Sequence, residues 1–532
     1  MRPKPTGASC GGLARTAALL AMFALLSRVL GLARDMVMAW LLGGSAAADA
    51  LVAAMRLPHA LRRMLGEGTL SMTLTASMVC LARGQGQEEK ENMPLLARAL
   101  AVRLGLVLGA LTVCGLAAAP WLARLLAPGF GPAEQEMVVG LLRICLPYAL
   151  AAGMAALGMA LLHAAGVFWL PALSPGLFNT SMLALAGAAA LGLVPPATGL
   201  ALGMLCGGLV QWLAQWLAVR RLLPRPCARP DPLSAQRAGK TAWRCLARLP
   251  VGIAGAAAPQ LCMLAALALA SSLGQGRAAA LYYAERLLEL PLGLVGVCLG
   301  TASLPLLSAL AAEGKHALFA SRLSTALRLS LLFSLPAAAG LWAVGPHLVR
   351  GLLGHGAFDA LAVRDTAQAL AAFVCGLPAL AANRCLLSAC NALGRLRATS
   401  LSALWAVAAT LAAGVFLVHT LEGKIAAPAL AVSLGMWVQC VFLLRALRAG
   451  QGSEGLSLAD CLPQGRILAR QALAALAAGA AARAFLGAVG ASLWLALAAA
   501  VAGGVLAWFC CLLVLGDADA RALLDRVRGR AA

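Results

Sequence analysis

The sequence predicts an all-α polytopic membrane protein with about fourteen transmembrane helices. Hydrophobic residues make up 62% of the 532 residues and charged residues only 12%, and the mean hydropathy is +0.87. Apolar runs recur along the chain, each close to the ~20 residues that a helix needs to cross a ~30 Å hydrocarbon core. A soluble domain of this length would need far more polar surface, so the composition excludes that class.

The individual spans are separated by Gly, Pro or clusters of charge. Their predicted centres lie near residues 28, 60, 112, 150, 181, 208, 258, 292, 337, 377, 408, 435, 478 and 504. Arg28 interrupts the first run, which is also too long for a signal peptide and lacks a small-residue cleavage pattern. We therefore expect the first helix to direct insertion without being removed.

The excess of positive charge indicates the orientation of the chain. The net charge of +22 would suggest a nucleic-acid partner in a soluble protein, but here the cations lie largely in alternate connections. They crowd the region before the first span, the sixth connection, both flanks of the twelfth connection and the C-terminal tail. Since cytoplasmic connections carry the excess of Lys and Arg, both termini are predicted to be cytoplasmic, and no nucleic-acid partner is expected.

Two polar breaks divide the chain into three segments. The basic, proline-containing stretch Leu222–Thr241 shows no apolar period and is predicted to be an exposed linker. A second break covers Gly450–Gln464. The predicted organisation is a six-helix lobe over 1–240, a second six-helix lobe over 241–450, and two extra helices with a basic tail over 451–532. Similar placement of Arg56-Leu57-Pro58 and Glu289-Leu290-Pro291 favours an internal repeat of the two lobes.

Motifs of catalysis or metal binding are missing from the sequence. The sixteen cysteines form no CxxC pair, and most lie in apolar runs, where they are expected to be small buried residues. The six histidines are scattered, and no phosphate-binding Walker loop or HExxH motif occurs. We expect neither a cofactor nor a metal, and keep only His59, beside Arg62, as a possible cavity residue.

Charged residues inside predicted spans are the most informative feature. A charge at the middle of a membrane helix costs about 2.5–3.5 kcal/mol on insertion scales, so several of them require a protein-lined or ligand-filled site. On a helix of 3.6 residues per turn, one stripe of the second span carries Asp49, Arg56, Arg63 and Glu67, and it extends over roughly 27 Å. The first span adds Arg28, Arg34 and Asp35, and the eighth adds Glu285, Arg286 and Glu289.

Two plainer interpretations apply to some of these charges. Arg34, Asp35 and Arg63 could lie at helix ends and extend to the membrane interface. Glu285 and Arg286 could form an internal ion pair that only locks helices together. Neither explains the surplus of arginine in one half, which calls for an anionic ligand. The planar fork of a guanidinium suits phosphate, including two-point contact with a diphosphate.

Several motifs occur in a familiar order. They are Ser27-Arg28-Val29-Leu30-Gly31-Leu32-Ala33-Arg34-Asp35, Ala48-Asp49-Ala50, Leu57-Pro58, Leu61-Arg62-Arg63 with Glu67-Gly68, Ala127-Pro128-Gly129-Phe130, and Tyr282-Tyr283-Ala284-Glu285-Arg286-Leu287 continuing through Pro291, Gly293, Gly296, Gly300-Thr301 and Leu304-Pro305. Together they resemble the signature of the bacterial lipid II flippases, the MurJ/MviN family. The resemblance extends from about Ser27 to the end of the chain.

The resemblance implies the fold of the multidrug/oligosaccharidyl-lipid/polysaccharide exporters, with two six-helix lobes around a central cavity and two added helices that form a groove for the lipid tail. It implies that the protein is a transporter and not an enzyme. It also implies a role in peptidoglycan synthesis and cell-wall biogenesis, and through them in cell shape. The implied location is the bacterial inner membrane. The implied partners are lipid II (undecaprenyl-diphosphate-MurNAc-pentapeptide-GlcNAc) and membrane lipids, with the wall-synthesis machinery as a possible further partner. The implied substrate-binding residues are Arg28, Arg34, Asp49, Arg56, Arg62, Glu67, Glu285 and Arg286.

Departures from the family pattern and other functions stay open at this point. Glu285 replaces the usual aspartate, His59 replaces an asparagine after Pro58, and 394–399 lacks the family's aspartate and Thr-Pro pair. A same-fold alternative is an exporter of another polyprenyl-linked saccharide or of drugs, although a drug exporter would favour acidic cavity residues. A polytopic glycosyltransferase or polymerase would need a catalytic carboxylate in a sizeable periplasmic loop, and the odd connections are short.

Overall fold

The structure is a computed structural model that describes residues 10–66, 87–222, 232–247, 257–449, 461–488, 492–517 and 520–521. These residues form eighteen α-helices and contain no β-strand. The all-α prediction is therefore confirmed over the described part of the chain. Tertiary contacts divide the chain into two compact units.

The first unit comprises Met1–Leu42, Ala50–Leu125 and Gly131–Ile253. Its helices are α1 (Cys10–Leu42), most of α2 (Ala46–Gly66), α3 (Gln87–Ala117), α4 (Ala119–Leu126), α5 (Pro132–Cys145), α6 (Pro147–Ala164), α7 (Trp169–Ala190), α8 (Pro196–Leu222) and α9 (Pro232–Ala247).

The second unit comprises Ala254–Ala532 together with two short segments from earlier in the chain, Gly43–Asp49 and Leu126–Phe130. Its helices are α10 (Ala258–Ser271), α11 (Arg277–Ala312), α12 (His316–Leu353), α13 (Ala360–Val374), α14 (Leu377–Ala392), α15 (Leu396–Thr420), α16 (Ala426–Ala449), α17 (Gly465–Ala488) and α18 (Leu493–Val514).

Membrane-spanning length and apolarity are met by many of these helices. In the described residues, eight helical stretches satisfy both criteria, and the bent pair α13 and α14 makes a ninth if it is counted as one span. Helices α1, α2 and α11 carry charged residues within their length, which marks them as functional candidates. All fourteen predicted centres fall within described helices, while the count of fourteen spans stays a prediction.

Close helix packing in the first unit depends on glycine. Gly199, Gly203 and Gly207 recur every four residues along α8 and face α7. A Cβ added to Gly203 would lie 2.9 Å from the Cα of Met182, and one added to Gly207 would lie 2.8 Å from Cδ2 of Phe178. Since apolar lipid gives helices little reason to associate through hydrophobicity, such small-residue contacts supply the close packing.

A break in the second unit interrupts one predicted span. The axes of α13 and α14 differ by 46°, and the predicted centre at residue 377 lies at this break. The carbonyls that the break leaves outside the helical ladder are satisfied by α16: Ser433 Oγ donates to the oxygen of Ala372 at 2.8 Å, and Trp437 Nε1 donates to that of Cys375 at 2.9 Å. Unsatisfied carbonyls are costly in a membrane, so these two side chains make the break tolerable.

The prediction of an exposed linker over Leu222–Thr241 is wrong for its second half, because α9 begins at Pro232 and continues to Ala247. Its buried side is formed by Ala238 and Ala242, with Cys245 and Leu246 packed beside them against α3 and α6. This spacing of four and three residues is an apolar helical stripe that the proline-rich first half obscured. The three-segment division at 240/241 and 450/451 stays a prediction, since α17 packs on α12 within the second unit.

Candidate functional site

Arg34 and Asp35 form a buried charged cluster in the first unit. The Asp35 carboxylate accepts hydrogen bonds from Nε of Arg34 at 3.0 Å and from Nη2 at 2.7 Å. Only 7% of Arg34 and 5% of Asp35 is exposed. The interface interpretation of these two residues is therefore wrong, because an arginine at the interface would hold its charged end in solvent.

Asn179 in α7 completes this cluster and was not among the predicted site residues. Its Oδ1 accepts from Nη1 of Arg34 at 3.1 Å, and its Nδ2 donates to the backbone oxygen of Ser27 at 3.0 Å. Gly31 makes room for it, since an added Cβ there would lie 3.3 Å from Nδ2 of Asn179. An asparagine within a predicted span was the available signal, because polar residues in membrane helices commonly bond across helices.

His59 belongs to an aromatic cluster rather than to an open surface. It is 9% exposed and packs edge-on against Tyr148 and Phe178, with ring centroids 5.9 and 6.2 Å apart. The guanidinium of Arg34 lies 6.0 Å from the centroid of the Phe178 ring. The cluster links α2, α6 and α7 to the charged pair of α1, which holds the arginine in an aromatic and weakly polar surrounding.

The other arginines predicted in the first unit differ in burial. Arg56 is 7% exposed, whereas Arg28, Arg62 and Arg63 are half-buried. Glu67, the last member of the predicted stripe, lies outside the described residues.

Asp49 caps a helix in the second unit. One of its carboxylate oxygens accepts from the backbone N–H of Gly276 at 2.6 Å, and the other accepts from that of Ala279 at 2.7 Å. Gly276 is the N-cap of α11, has φ of 81° and brings no capping side chain of its own. Asp49 is 1% exposed and supplies the missing acceptor together with a negative charge at the positive end of the helix dipole.

A second ion pair stands beside this cap and was not predicted. Arg277, the first residue of α11, bonds Asp365 of α13 at 2.6 Å, and the Asp365 side chain is 8% exposed. The partners are 88 positions apart in sequence, so no local pattern indicates the pair. It ties the start of α11 to α13.

Glu285 and Arg286 do not form the ion pair suggested by their adjacency. Arg286 bonds Glu289 at 2.7 Å, one turn further along α11, and its guanidinium lies 4.9 Å from the centroid of the Tyr282 ring. The Arg286 side chain keeps 18% exposure, whereas Glu285 is 5% exposed. Arg286 is held from two sides and retains an open edge, as an anion-binding arginine requires.

The charged residues of the described chain differ in burial. Arg34, Asp35 and Asp49 make short hydrogen bonds and are buried, while Arg28, Arg62 and Arg286 are half-buried. Among the residues that the structure describes, no group of three or more His, Cys, Asp or Glu side chains could hold a metal ion. Such positive groups within membrane helices can bind and orient an anion.

Comparison with known proteins gives a consistent match. The family model described as lipid II flippase MurJ matches residues 38–513. The lipid II flippase MurJ of Burkholderia cenocepacia is 32% identical over 357 residues, which cover 67% of this chain and 68% of that protein.

Solved structures match the fold of the chain. A structure titled "Lipid II flippase MurJ, inward closed conformation" has a TM-score of 0.74 at 20% identity, covering 95% of this chain and 100% of its own. A multidrug resistance MATE family transporter of the MOP superfamily, in an inward-facing conformation, has a TM-score of 0.63 at 15% identity, covering 81% and 98%. The predicted exporter fold is therefore confirmed.

Proposed function

The chain belongs to the lipid II flippase MurJ family, and from that premise we propose that it moves lipid II from the cytoplasmic to the periplasmic leaflet of the bacterial inner membrane. The observation that carries the proposal is the set of arginines inside membrane helices at the positions of the family motifs. A transporter needs no catalytic group, because no bond is made or broken.

Three arginines are assigned to the diphosphate of the substrate: Arg28, Arg62 and Arg286. Each is only partly buried, and a residue that binds and then releases a ligand must have some exposed surface. Guanidinium groups contact diphosphate oxygens by short charge-assisted hydrogen bonds. Arg56 and Glu285 are more deeply buried, and we assign them to shaping the polar surface next to these contacts.

Arg34 and Asp49 take supporting roles in the same proposal. Arg34 is held by Asp35 and Asn179, and this neutral pair braces α1, the helix that carries Arg28, against α7. Asp49 orders the start of α11, the helix that carries Arg286. Rigid elements hold binding groups more accurately than loops, and the cap therefore serves the site from the end of that helix.

Transport is proposed to follow alternating access, with the diphosphate and sugars passing through the protein while the undecaprenyl tail remains in lipid. Outward movement of a negative headgroup is favoured by a membrane potential that is negative inside, by about 2.3 kcal/mol per charge per 100 mV. We therefore assign the driving force to the membrane potential. Both termini are assigned to the cytoplasm on the distribution of Lys and Arg, and the wall-synthesis machinery is a further proposed partner.

Rescue of a bacterium depleted of its own lipid II flippase tests this function. The unmodified chain is expected to restore growth and lipid II translocation. Arg28→Ala, Arg62→Ala and Arg286→Ala are each expected to lower translocation by about tenfold or more, since each removes charge-assisted hydrogen bonds of about 1.5–3 kcal/mol. Exposed Arg221 at the end of α8 gives the matched control, and Arg221→Ala should rescue fully.

The results of this experiment test the substrate assignment and the role of the arginines separately. Failure of the unmodified chain, at normal expression in the membrane, would remove the lipid II assignment. Full rescue by all three arginine variants would contradict their role at the diphosphate while leaving the substrate assignment intact.

A further inference from the structure

A basic pocket lies in the first unit where α9 packs against α3. Its volume is about 410 Å³, and its lining residues are Arg103, Gln236, Gly239, Lys240, Trp243 and Arg244. We call it the α9 pocket. It contains none of the motif arginines, so the proposed diphosphate contacts do not account for it.

The two walls of the pocket are formed by α3 and α9, which pack against each other. Ala238 and Ala242 bury one side of α9 against the apolar core formed with α3 and α6. Gly239 lies on the same side, and an added Cβ there would be 2.5 Å from Nη2 of Arg103. The absence of a side chain at Gly239 therefore lets the Arg103 guanidinium of α3 reach the surface of α9.

Three positive charges converge on this pocket. Lys240 and Arg244 are exposed and stand four residues apart, on one side of α9, and Arg103 adds a third charge from α3. Like charges at this spacing destabilise a helix unless an anion compensates them. No acidic side chain is among the described residues that line the pocket. The charge arrangement is therefore complementary to a phosphate group.

The surroundings identify the source of that phosphate. Trp243 is 57% exposed beside the cations, and the opposite side of α9 is buried on membrane-spanning helices. An amphipathic helix with a tryptophan and basic residues is typical of a segment lying in the membrane interface. Basic pockets between helices at the cytoplasmic surface bind anionic lipid headgroups. The proposed orientation places the sixth connection, and with it α9, on the cytoplasmic side.

We propose that the α9 pocket binds the phosphate headgroup of an anionic glycerophospholipid of the cytoplasmic leaflet. Arg103, Lys240 and Arg244 contact the phosphate oxygens, and Trp243 packs at the level of the headgroup. The bound lipid neutralises the repulsion between the cations and fixes α9 to the membrane surface. This site is distinct from transport and is testable in the absence of lipid II.

Lipid binding to the purified full-length chain tests the site. Native mass spectrometry with phosphatidylglycerol and phosphatidylcholine of the same acyl chains measures how many molecules are retained and at what concentration. The double variant Lys240→Gln/Arg244→Gln is expected to weaken phosphatidylglycerol binding by about 30-fold, at roughly fivefold per charge. Phosphatidylcholine binding should change little in the same variant.

Two further variants separate a built pocket from general attraction. Arg221→Gln/Arg448→Gln removes two exposed cations that do not line the pocket and should leave phosphatidylglycerol affinity within about threefold of the unmodified chain, since exposed charges outside a binding site are screened by solvent and salt. Gly239→Leu keeps every charge but fills the pocket and displaces Arg103, so it should weaken binding as the double variant does. Circular dichroism and the melting temperature check that each variant folds.

Three results would overturn the assignment. Unchanged phosphatidylglycerol affinity in the folded double variant would show that the cations are only a solvated surface. Equal losses in the two double variants would show attraction without a site. Displacement of phosphatidylglycerol by a polyprenyl diphosphate at lower concentration, lost in Lys240→Gln/Arg244→Gln, would assign the pocket to the transported lipid.

Discussion

Arg34 keeps its charge inside the first unit because Asp35 and Asn179 take up its donors at 2.7–3.1 Å. A buried arginine that loses its carboxylate partner retains the desolvation cost without the compensating attraction. We therefore expect Asp35→Asn to lower the free energy of unfolding by about 3 kcal/mol. Titration of the purified protein with denaturing detergent, followed by circular dichroism, measures the change.

The matched control for that change is Glu136→Gln, which makes the same chemical substitution at an exposed position of α5. Its free energy of unfolding should stay within about 0.5 kcal/mol of the unmodified chain. Equal stability of the two variants would mean that the Arg34 charge is compensated by other groups.

The charged residues inside the helices could be predicted from the sequence, but few of their contact partners could. Arg34, Asp49 and Arg286 stood out because charged residues are costly inside apolar runs. Their contacts with Asn179, Gly276 and Tyr282 depend on which helices pack together, and only the last of these is local. The expected bond between Glu285 and Arg286 followed adjacency, whereas neighbours in a helix diverge by about 100° and the structure joins Arg286 to Glu289 one turn away.

At the scale of the element, α11 begins with a cap borrowed from a distant segment. Asp49→Ala removes both acceptors of the Gly276 and Ala279 amides, and we expect a loss of about 1–2 kcal/mol in unfolding free energy. Amide hydrogen exchange at these two residues should accelerate. Asp49→Asn keeps an acceptor oxygen and should lose only part of this, because the charge at the helix dipole is gone.

Exposed Glu313, just past the other end of α11, is the control for the Asp49 variants. Glu313→Ala should leave both the stability and the exchange at Gly276 unchanged. Slow exchange at Gly276 and Ala279 in Asp49→Ala would contradict the capping role.

The connection at 394–399, which departs from the family pattern, carries an arginine that contacts the end of α16. Nη1 of Arg395 donates to the carbonyl oxygens of Ala446 at 2.6 Å and Leu447 at 3.1 Å, in the last turn of α16. A cation there satisfies terminal carbonyls and complements the negative end of the helix dipole. We expect Arg395→Ala to lower the melting temperature, at a cost of about 1 kcal/mol, whereas Arg397→Ala in the same connection should have no effect, because Arg397 is exposed.

Element positions were more predictable than element boundaries. Each of the fourteen centres predicted from long apolar runs lies within a described helix, because a membrane-spanning helix must be both long and apolar. The break between α13 and α14 could not be predicted, because Ser433 and Trp437 of another helix satisfy its carbonyls. Helix α9 was missed because the prolines before it and the charged residues on its exposed face obscure its apolar stripe.

At the scale of the whole molecule, the orientation in the membrane follows from the positive-inside distribution of charge. Four connections are suited to testing it, because each contains a glycine at positive φ in a turn between two helices: Gly166, Gly192, Gly314 and Gly423. The first and third lie in the even connections and the other two in the odd connections. A short epitope inserted after each, in the full-length chain, reports the side on which that turn lies.

With both termini cytoplasmic, spheroplasts with an intact inner membrane should bind antibody to the epitopes after Gly192 and Gly423. The epitopes after Gly166 and Gly314 should become accessible only after permeabilisation. Growth rescue of the flippase-depleted strain by each tagged chain ensures that the reported topology belongs to working protein. The opposite labelling pattern would place α9 on the outer side, and with it the α9 pocket, so that outward release of lipid II and inner-leaflet phospholipid binding would both have to be reassigned.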